Sequence, residues 1–413
     1  MTQNRLNHPC FNDQVRHLYG RIHLPVAPRC NIQCNFCNRK YDCMNESRPG
    51  VTGKVLTPVQ AIYYLEKALA KEPNLKVAGI AGPGDPFANP DETMETISRV
   101  RQLFPDLLLC VATNGLNIAP YIGQLARAQL SHVTITINAI DPEIGSRIYA
   151  WVRDGKVVYR GLEAAQLLLE RQLEAVRELK DRGITVKVNS IIVPGINDRH
   201  IEAVAKKVGE LGTDIMNCVP LYPVKETAFE NIEAPSTVMV SLVRNEAGRY
   251  LTQMEHCTRC RADAAGLLGA PLHKELAAVM NEAVDQDNLN RPYVAVASLE
   301  GLLINQHLGE ASQLLIYGRT KTGFELIETR KTPESGGGKE RWLELAGILS
   351  DCRAVLVSGA GESPKSVLKD SGLKIIEAEG IIDEALMNIY SGREIRNYKA
   401  SRSCCSGTGV GCG

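Results

Sequence analysis

Three cysteines within eight residues carry the clearest chemistry in this 413-residue chain: Cys30, Cys34 and Cys37. Soft thiolates of this kind are ligands for iron–sulfur clusters and for zinc. Three thiolates on a four-iron cube leave one iron without a protein ligand, and an open iron can do chemistry. Structural zinc would need a fourth ligand nearby, for which His23 and Cys43 are close enough in sequence; a disulfide is the third reading. The triplet alone favours a cluster and leaves zinc open.

The spacing of the triplet, with the aromatic Phe36 before its last cysteine, resembles the signature of the radical S-adenosylmethionine (SAM) enzymes. In that family the open iron is chelated by SAM. The segment from Gly82 to Pro86, otherwise an ordinary turn, resembles the family's GGE-type motif, whose backbone holds the SAM ammonium. Asp85 stands where the family often has Glu. The resemblance implies a catalytic cluster on the triplet and SAM contacts from Phe36, Gly82, Gly84, Thr136, Asn138 and Asn189.

The composition of the chain indicates its cellular compartment and argues against some classes of partner. Lys+Arg and Asp+Glu balance at 47 each, which argues against a nucleic-acid footprint or a polybasic membrane anchor. The sequence has neither a membrane-length apolar run nor a signal-peptide pattern at its polar start, so we expect a cytoplasmic protein. Its 13 cysteines are clustered, which in a reducing compartment favours metal ligation over disulfides.

Strand and helix patterns alternate strictly after the first strand. A helix is predicted from Thr57-Pro58, with Thr57 as N-cap. The predicted strands are 21–27, 77–84, 107–115, 131–140, 184–195 and 214–221, and further helices are predicted at 91–104, 117–129, 161–183 and 199–211. This alternation predicts an α/β fold with a parallel sheet, best fitted by a partial (β/α)6 barrel. Reactive groups then gather at the carboxyl ends of the strands, and the alternating strands at 131–140 and 184–195 should present a polar face to the lumen.

A second α/β unit follows a polar stretch at 285–288, which we interpret as a linker. The predicted domain organisation is an N-terminal arm at 1–19, the barrel at 20–222, an extension with a CxxC motif at 223–290, a smaller C-terminal domain at 291–398 and a cysteine-rich tail at 399–413.

The remaining cysteines and histidines suggest further ligation. His23, Cys43 and Cys110 fall on strands or loops at the expected active face, and together suit another iron–sulfur cluster, although each singly is more often structural. Cys257 and Cys260 form a CxxC pair, which by itself could be a zinc or redox site, and Cys10 in the arm could fold over to join it.

Several motifs in combination resemble the NifB family, the radical SAM enzymes of nitrogenase cofactor biosynthesis. They are His8-Pro9-Cys10-Phe11, the triplet with Cys43 and Glu46-Ser47-Arg48-Pro49-Gly50, Ala81 to Pro86, and His256-Cys257 with Cys260-Arg261-Ala262-Asp263. The resemblance implies fusion of two [4Fe–4S] clusters, with a SAM-derived carbide and an added sulfur, into an [8Fe–9S–C] core. It implies one substrate cluster on His23, Cys43 and Cys110, and another on Cys10, Cys257 and Cys260.

Residues 293–396 resemble the NifX-like domains, of RNase H-like fold, that bind cofactor precursors; the motif is Asn305 to Gly309, with Leu308 where the family has Phe. His307 could ligate product or be a loop histidine, and Cys404, Cys405 and Cys412 could hold clusters in transit. The implied partners are cluster donor proteins, cofactor carriers or scaffolds, and an electron donor such as ferredoxin, with no nucleic acid and no membrane. The rival interpretations are a non-catalytic cluster carrier and a radical SAM enzyme with an auxiliary cluster and an organic substrate.

Overall fold

The computed structural model describes residues 8–46, 50–257, 260–268, 270–271, 273–320 and 323–390. The chain divides into two compact units, with the division between Val284 and Asp285. No helix in these ranges is long and apolar enough to cross a membrane.

The N-terminal unit is built on a curled sheet with helices between its strands. Its elements are, in chain order, β1 Gly20–His23, β2 Ile32–Cys34, α1 Pro58–Lys71, β3 Leu75–Ile80, α2 Pro90–Leu103, β4 Leu108–Thr113, α3 Ile122–Arg127, β5 His132–Thr136, α4 Pro142–Ile148, β6 Tyr149–Asp154, β7 Val157–Tyr159, α5 Gly161–Asp181, β8 Thr185–Ile192, α6 Ile201–Glu210, β9 Ile215–Pro220, α7 Thr237–Ala247, β10 Ala265–Leu267, β11 Ala270–Pro271 and α8 His273–Asn290.

The main sheet has the strand order β11-β10-β1-β3-β4-β5-β8-β9. From β1 to β9 each neighbouring pair is parallel, as the strand–helix alternation predicts, and the predicted partial (β/α)6 barrel is confirmed. Strand β10 extends this sheet antiparallel to β1, and β11 pairs antiparallel with β10. The sequence did not predict this extension, because elements of three and two residues are too short to show an alternating pattern.

One face of the sheet packs against helices. Val133, Ile135 and Val188 belong to the main hydrophobic core, together with Tyr64 and Leu65 of helix α1. That helix begins as predicted: the Thr57 hydroxyl accepts from the Gln60 backbone N–H, and the Gln60 side chain accepts from the Thr57 N–H. The strand residues between these apolar positions point to the other face, where the site lies.

Some predicted elements are wrong in extent. Strand β1 ends at His23 instead of residue 27, and the predicted helix 117–129 is a 3₁₀ turn at Ala119–Tyr121 followed by α3. The small sheet β2-β6-β7 was not predicted, and it places part of the cysteine triplet on a strand. The polar stretch 285–288 is the end of helix α8 instead of an irregular linker. Polar residues are compatible with a helix as well as with a linker, so the polarity of this stretch does not by itself identify a linker.

The C-terminal unit is built on a mixed sheet with helices packed on it. Its elements are β12 Tyr293–Val296, β13 Leu303–Ile304, β14 Gln313–Arg319, β15 Phe324–Lys331, α9 Gly338–Ile348, β16 Cys352–Val357, α10 Glu362–Asp370, β17 Lys374–Glu377, β18 Gly380–Ile381 and α11 Ile382–Tyr390. The sheet has five strands in the order β15-β14-β12-β16-β17. Apolar clusters on both faces of this sheet form its own core. The prediction of a second, smaller α/β unit is confirmed.

Candidate active site

Two adjoining cavities open at the carboxyl ends of the parallel strands. The first cavity, of about 430 Å³, is lined by all three cysteines of the triplet, by the loop that follows β3 and by residues that end β4 and β5. The second cavity, of about 630 Å³, lies over β1, β3, β4 and β8. Glu46 and Ala112 line both cavities, so one layer of side chains separates them.

The triplet is held by strand pairing and by one glutamine. Strand β2 pairs antiparallel with β6, which fixes Cys34. The Gln33 side-chain N–H donates to the Cys34 carbonyl at 3.1 Å and to the Cys37 carbonyl at 2.6 Å, while the Cys37 N–H closes a turn onto Cys34 at 3.0 Å. These bonds turn the short segment so that its thiols reach one cavity.

The first cavity fits an iron–sulfur cluster. Burial raises the pKa of Cys30 to about 11 and raises the pKa values of Cys34 and Cys37, so thiolates here need positive charge in the site. The amide nitrogen of Asn114 lies 3.8 Å from Cys30 Sγ, and that of Asn45 lies 3.9 Å from Cys34 Sγ. Such N–H donors suit charged sulfur ligands, and the buried Nδ2 of Asn31 has no hydrogen-bond partner in the part of the chain that the structure describes.

The glycine segment supports the loop before Cys30. The Gly84 N–H donates to the Ala27 carbonyl at 2.6 Å, and the Asp85 N–H donates to the Arg29 carbonyl at 2.7 Å. A Cβ at Gly84 would lie 2.1 Å from the Arg29 oxygen, so only glycine allows this approach. The buried Asp85 carboxylate accepts from the Thr113 hydroxyl at 2.9 Å and the Asn114 N–H at 2.6 Å, which joins the ends of β3 and β4.

The residues predicted to contact SAM separate into two groups. Phe36, Gly84 and Thr136 line the first cavity. Gly82, Asn138 and Asn189 are not among its described lining. The Asn138 amide donates to the Tyr149 hydroxyl at 3.2 Å and its oxygen accepts from the Ile191 N–H at 2.8 Å. Asn189 donates to the Asn45 carbonyl at 2.9 Å, one residue before Glu46.

The second cavity gathers most of the other predicted ligands. It is lined by His23, Cys110, Cys10, Cys257 and Cys260. Cys43 lines the first cavity instead, and is not grouped there with His23 and Cys110. Within the described ranges, no three His, Cys, Asp or Glu side chains converge closely enough to hold a single metal ion. A four-iron cube is larger, and each of its ligands binds a different iron.

His23 is ready to act as a ligand. Its Nδ1 lies 3.1 Å from the Arg261 carbonyl, which can only accept, so Nδ1 carries the hydrogen and Nε2 carries a lone pair. Burial, helped by the positive charge of Arg21, lowers the pKa of His23 to about 4. The ring is therefore neutral at physiological pH, with a carbonyl orienting it as metal-binding histidines require.

The N-terminal arm is anchored over the second cavity. The rings of His8 and Phe11 pack against His132 of β5 at centroid distances of 4.5 and 4.4 Å. His256 Nε2 lies 2.9 Å from the Pro9 carbonyl. These contacts bring Cys10 to the CxxC pair, although 247 residues separate Cys10 from Cys257.

Charged groups that the sequence analysis did not assign also line the second cavity. Arg21 donates to Cys260 Sγ at 2.7 Å. Burial opposes the charge of Lys187, but Glu46 and the Cys10 thiol outweigh it and raise its pKa. Burial raises the pKa of Glu46 to about 7, while Lys187 and the Thr136 hydroxyl act against the rise. Lys187 lies on the polar face that the alternation of 184–195 predicts, and Glu46 follows Cys43 in the NifB-like motif, so both were signals available in the sequence.

The other candidates are not among the described residues that line the two cavities. Cys218 and Cys352 are buried core residues. His307 Nδ1 accepts from the Gly309 N–H at 3.1 Å, so the neutral ring carries its hydrogen on Nε2, and metal binding there would cost this bond. Cys404, Cys405 and Cys412 lie outside the described residues, as do Ser47 to Pro49 of the quoted motif.

The comparisons with known proteins agree with this geometry. The profile of the Radical SAM superfamily matches residues 24–208, which contain the triplet and the parallel strands β3, β4, β5 and β8. The profile named Dinitrogenase iron-molybdenum cofactor matches residues 290–392. The fold and the first cavity therefore define a radical SAM enzyme with a NifX-like C-terminal domain.

Relatives that match over most or all of the chain identify the family to which it belongs. "FeMo cofactor biosynthesis protein NifB" of Chlorobaculum tepidum is 56% identical over 423 residues, covering 100% of both chains. The protein of the same description from Bradyrhizobium diazoefficiens is 38% identical, covering 90% of this chain and 83% of its own length, and that of Klebsiella pneumoniae is 37% identical, covering 89% and 86%. The chain belongs to the NifB family of FeMo cofactor biosynthesis proteins. Membership implies a [4Fe–4S] cluster and SAM.

Proposed function

We propose that the protein joins two [4Fe–4S] substrate clusters, with a SAM-derived carbide and one added sulfur, into the [8Fe–9S–C] core of the nitrogenase cofactor, in a lyase-like reaction. One observation carries this proposal. A cavity lined by five of the six predicted substrate ligands adjoins the cavity of the triplet and shares Glu46 and Ala112 with it.

The position of Cys43 supports a more specific arrangement. Cys43 lines the first cavity, whereas His23 and Cys110 line the second. A substrate cluster held by all three would therefore sit at the shared wall, beside Glu46. The other substrate cluster, on Cys10, Cys257 and Cys260, would lie farther into the second cavity. Reactive groups from the SAM side would meet the wall cluster first.

The chain's own residues orient the substrates and manage charge. Bound at the triplet, the cofactors supply a methyl group and radical chemistry. His23 offers the lone pair of Nε2, and the thiols with raised pKa values release protons when they bind iron. Glu46, with a pKa of about 7, can hold or release a proton at its carboxylate between the cavities. Lys187 and Arg21 offset the negative charge of the sulfurs.

The partners follow from the same chemistry. The clusters would come from cluster donor proteins and the electrons from a donor such as ferredoxin, and the product would pass to carrier or scaffold proteins. We assign a product-holding role to the C-terminal unit, because it matches the family described as Dinitrogenase iron-molybdenum cofactor.

The test is the double substitution Cys257→Ala/Cys260→Ala in anaerobically reconstituted protein. We expect iron to fall by about four per chain, the content of one cube. Reductive SAM cleavage should persist in part, because the triplet is untouched, and formation of the eight-iron product should stop. Cys218→Ala is the matched control, since Cys218 is a buried cysteine of β9 whose thiol contacts Gln253 at 3.2 Å, away from both cavities.

The outcomes separate the rivals. A carrier would bind clusters and cleave no SAM in the parent protein. An enzyme with an organic substrate would cleave SAM and yield no eight-iron product. Normal delivery of active cofactor to a nitrogenase apoprotein by the double variant would refute the two-cluster proposal.

A further inference from the structure

His8 is a buried histidine on the wall of the second cavity that neither predicted ligand set uses. It is 1% exposed and lines the cavity beside Cys10 and Arg21. Its ring is fixed by Phe11 at a centroid distance of 4.7 Å and by His132 at 4.5 Å. The side chain therefore has one orientation toward the cavity.

The hydrogen-bonding pattern decides which ring nitrogen carries the hydrogen. The backbone N–H of Cys10 donates to His8 Nδ1 at 3.1 Å. A backbone N–H can only donate, so Nδ1 holds a lone pair and the hydrogen is on Nε2. Nε2 is buried and has no hydrogen-bond partner among the described residues. A buried donor left unpaired is unfavourable, which indicates that a bound molecule supplies the acceptor.

Resting on the proposed function, we infer that His8 Nε2–H donates a hydrogen bond to a sulfur of the iron–sulfur substrate in the second cavity, and that His8 is not an iron ligand. Iron binding at Nε2 would move the hydrogen to Nδ1, opposite the Cys10 N–H. His23 has the reverse arrangement, because its Nδ1 donates to a carbonyl and its Nε2 is open. The same cavity thus holds one histidine set as a ligand and one set as a donor.

The surroundings fit an anionic sulfur acceptor. Arg21 donates to Cys260 Sγ at 2.7 Å, and its Nε is also buried without a partner among the described residues. The Lys187 ammonium lies 5.3 Å from the centre of the Phe11 ring on the same wall. Three buried donors therefore face a cavity whose ligands are thiols, and sulfide or thiolate sulfur is the acceptor that such a substrate brings.

Two substitutions distinguish a role of His8 as hydrogen-bond donor to the cavity from a role in which it only holds the Cys10 backbone. In His8→Asn the amide oxygen can still accept the Cys10 N–H in an Asx-turn, but no group reaches the position of Nε2. In His8→Gln the longer side chain places an amide N–H near that position and loses the contact with Cys10. Both are compared in the full chain with Cys30, Cys34 and Cys37 replaced by Ala, so that only clusters outside the triplet are measured.

The readouts are the rate of iron loss to a chelator and the midpoint potential of the bound cluster by EPR. We expect His8→Asn to lose iron about tenfold faster and to have a lower potential, because hydrogen bonds to cluster sulfurs stabilise the reduced state. His8→Gln should stay close to the parent.

The opposite order, with His8→Gln impaired and His8→Asn normal, would show that His8 acts through Cys10 and would overturn the inference. Parent-like behaviour of both variants, or loss of a strongly coupled imidazole nitrogen from the EPR signal in His8→Asn, would overturn it too. A parent that binds no cluster outside the triplet would overturn the proposed function and this inference with it.

Discussion

The glycine that supports the triplet loop offers a sharp test of the site. In Gly84→Ala the new methyl group would lie 2.1 Å from the Arg29 oxygen and 2.6 Å from its carbonyl carbon. Real Cβ atoms stay at least 3 Å from such atoms, so the two loops must separate by about 1 Å. Because Cys30 follows Arg29 directly, this movement would displace the first cysteine of the triplet.

The expected cost can be estimated from the contacts that this movement breaks. The Gly84–Ala27 and Asp85–Arg29 backbone bonds, at 2.6 and 2.7 Å, would both lengthen beyond useful range. Two such bonds contribute roughly 1–3 kcal/mol, and overpacking adds roughly 1–3 kcal/mol. We therefore expect a loss of about 2–6 kcal/mol in the free energy of unfolding, or a Tm lower by about 5–15 °C for a unit of this size.

The assay is thermal unfolding of the iron-free protein, followed by reconstitution and measurement of SAM cleavage. Gly123→Ala in helix α3 is the control, because its Cβ would meet only the Arg127 Nη1 at 3.8 Å. That variant should be neutral or more stable by up to about 1 kcal/mol. A Gly84→Ala protein with a wild-type Tm and full SAM cleavage would refute the assigned role of this close approach.

Replacing Cys30, Cys34 and Cys37 together by Ala should abolish 5′-deoxyadenosine production while other iron–sulfur signals remain, and persistent production would contradict the triplet assignment. A chain ending at Asn290 should still form the eight-iron product, because every assigned ligand precedes that point; a folded but inactive barrel would show that the C-terminal unit is needed for the chemistry. Burial of Glu46 raises its pKa from 4.5 to about 7, so the folded chain holds a proton that the unfolded chain releases in this window, and stability contributed by Glu46 falls as pH rises through it. In denaturant titrations of the iron-free protein, the stability of Glu46→Gln relative to wild type should therefore grow by about 2–3 kcal/mol from pH 5 to pH 8, and a constant difference would contradict the raised pKa.

Patterns within short segments predicted much of the fold. Alternation at 131–140 and 184–195 predicts a polar lumen face, and Thr134, Thr136 and Lys187 do line the cavities while Val133 and Ile135 lie in the core. These features depend only on the order of residues within one strand, because successive side chains of a strand point to opposite faces of the sheet. Strand β6 was not predicted because its pairing with β2 joins segments far apart in the chain, and β7, which pairs with β6, is only three residues long.

The amino-acid sequence by itself determined the local chemistry: the three thiols of the triplet, the capped helix after it, and the alternation that makes a parallel sheet. Only the tertiary structure decided how distant groups meet. Pairing of β1 with β10 brings Cys260 to Arg21, and Cys43 faces the first cavity instead of His23. Glu46 lies in the wall that the two cavities share, and the Cys10 N–H determines which ring nitrogen of His8 carries the hydrogen. Such arrangements follow from the register and packing of segments up to about 250 residues apart, and no local pattern encodes that register.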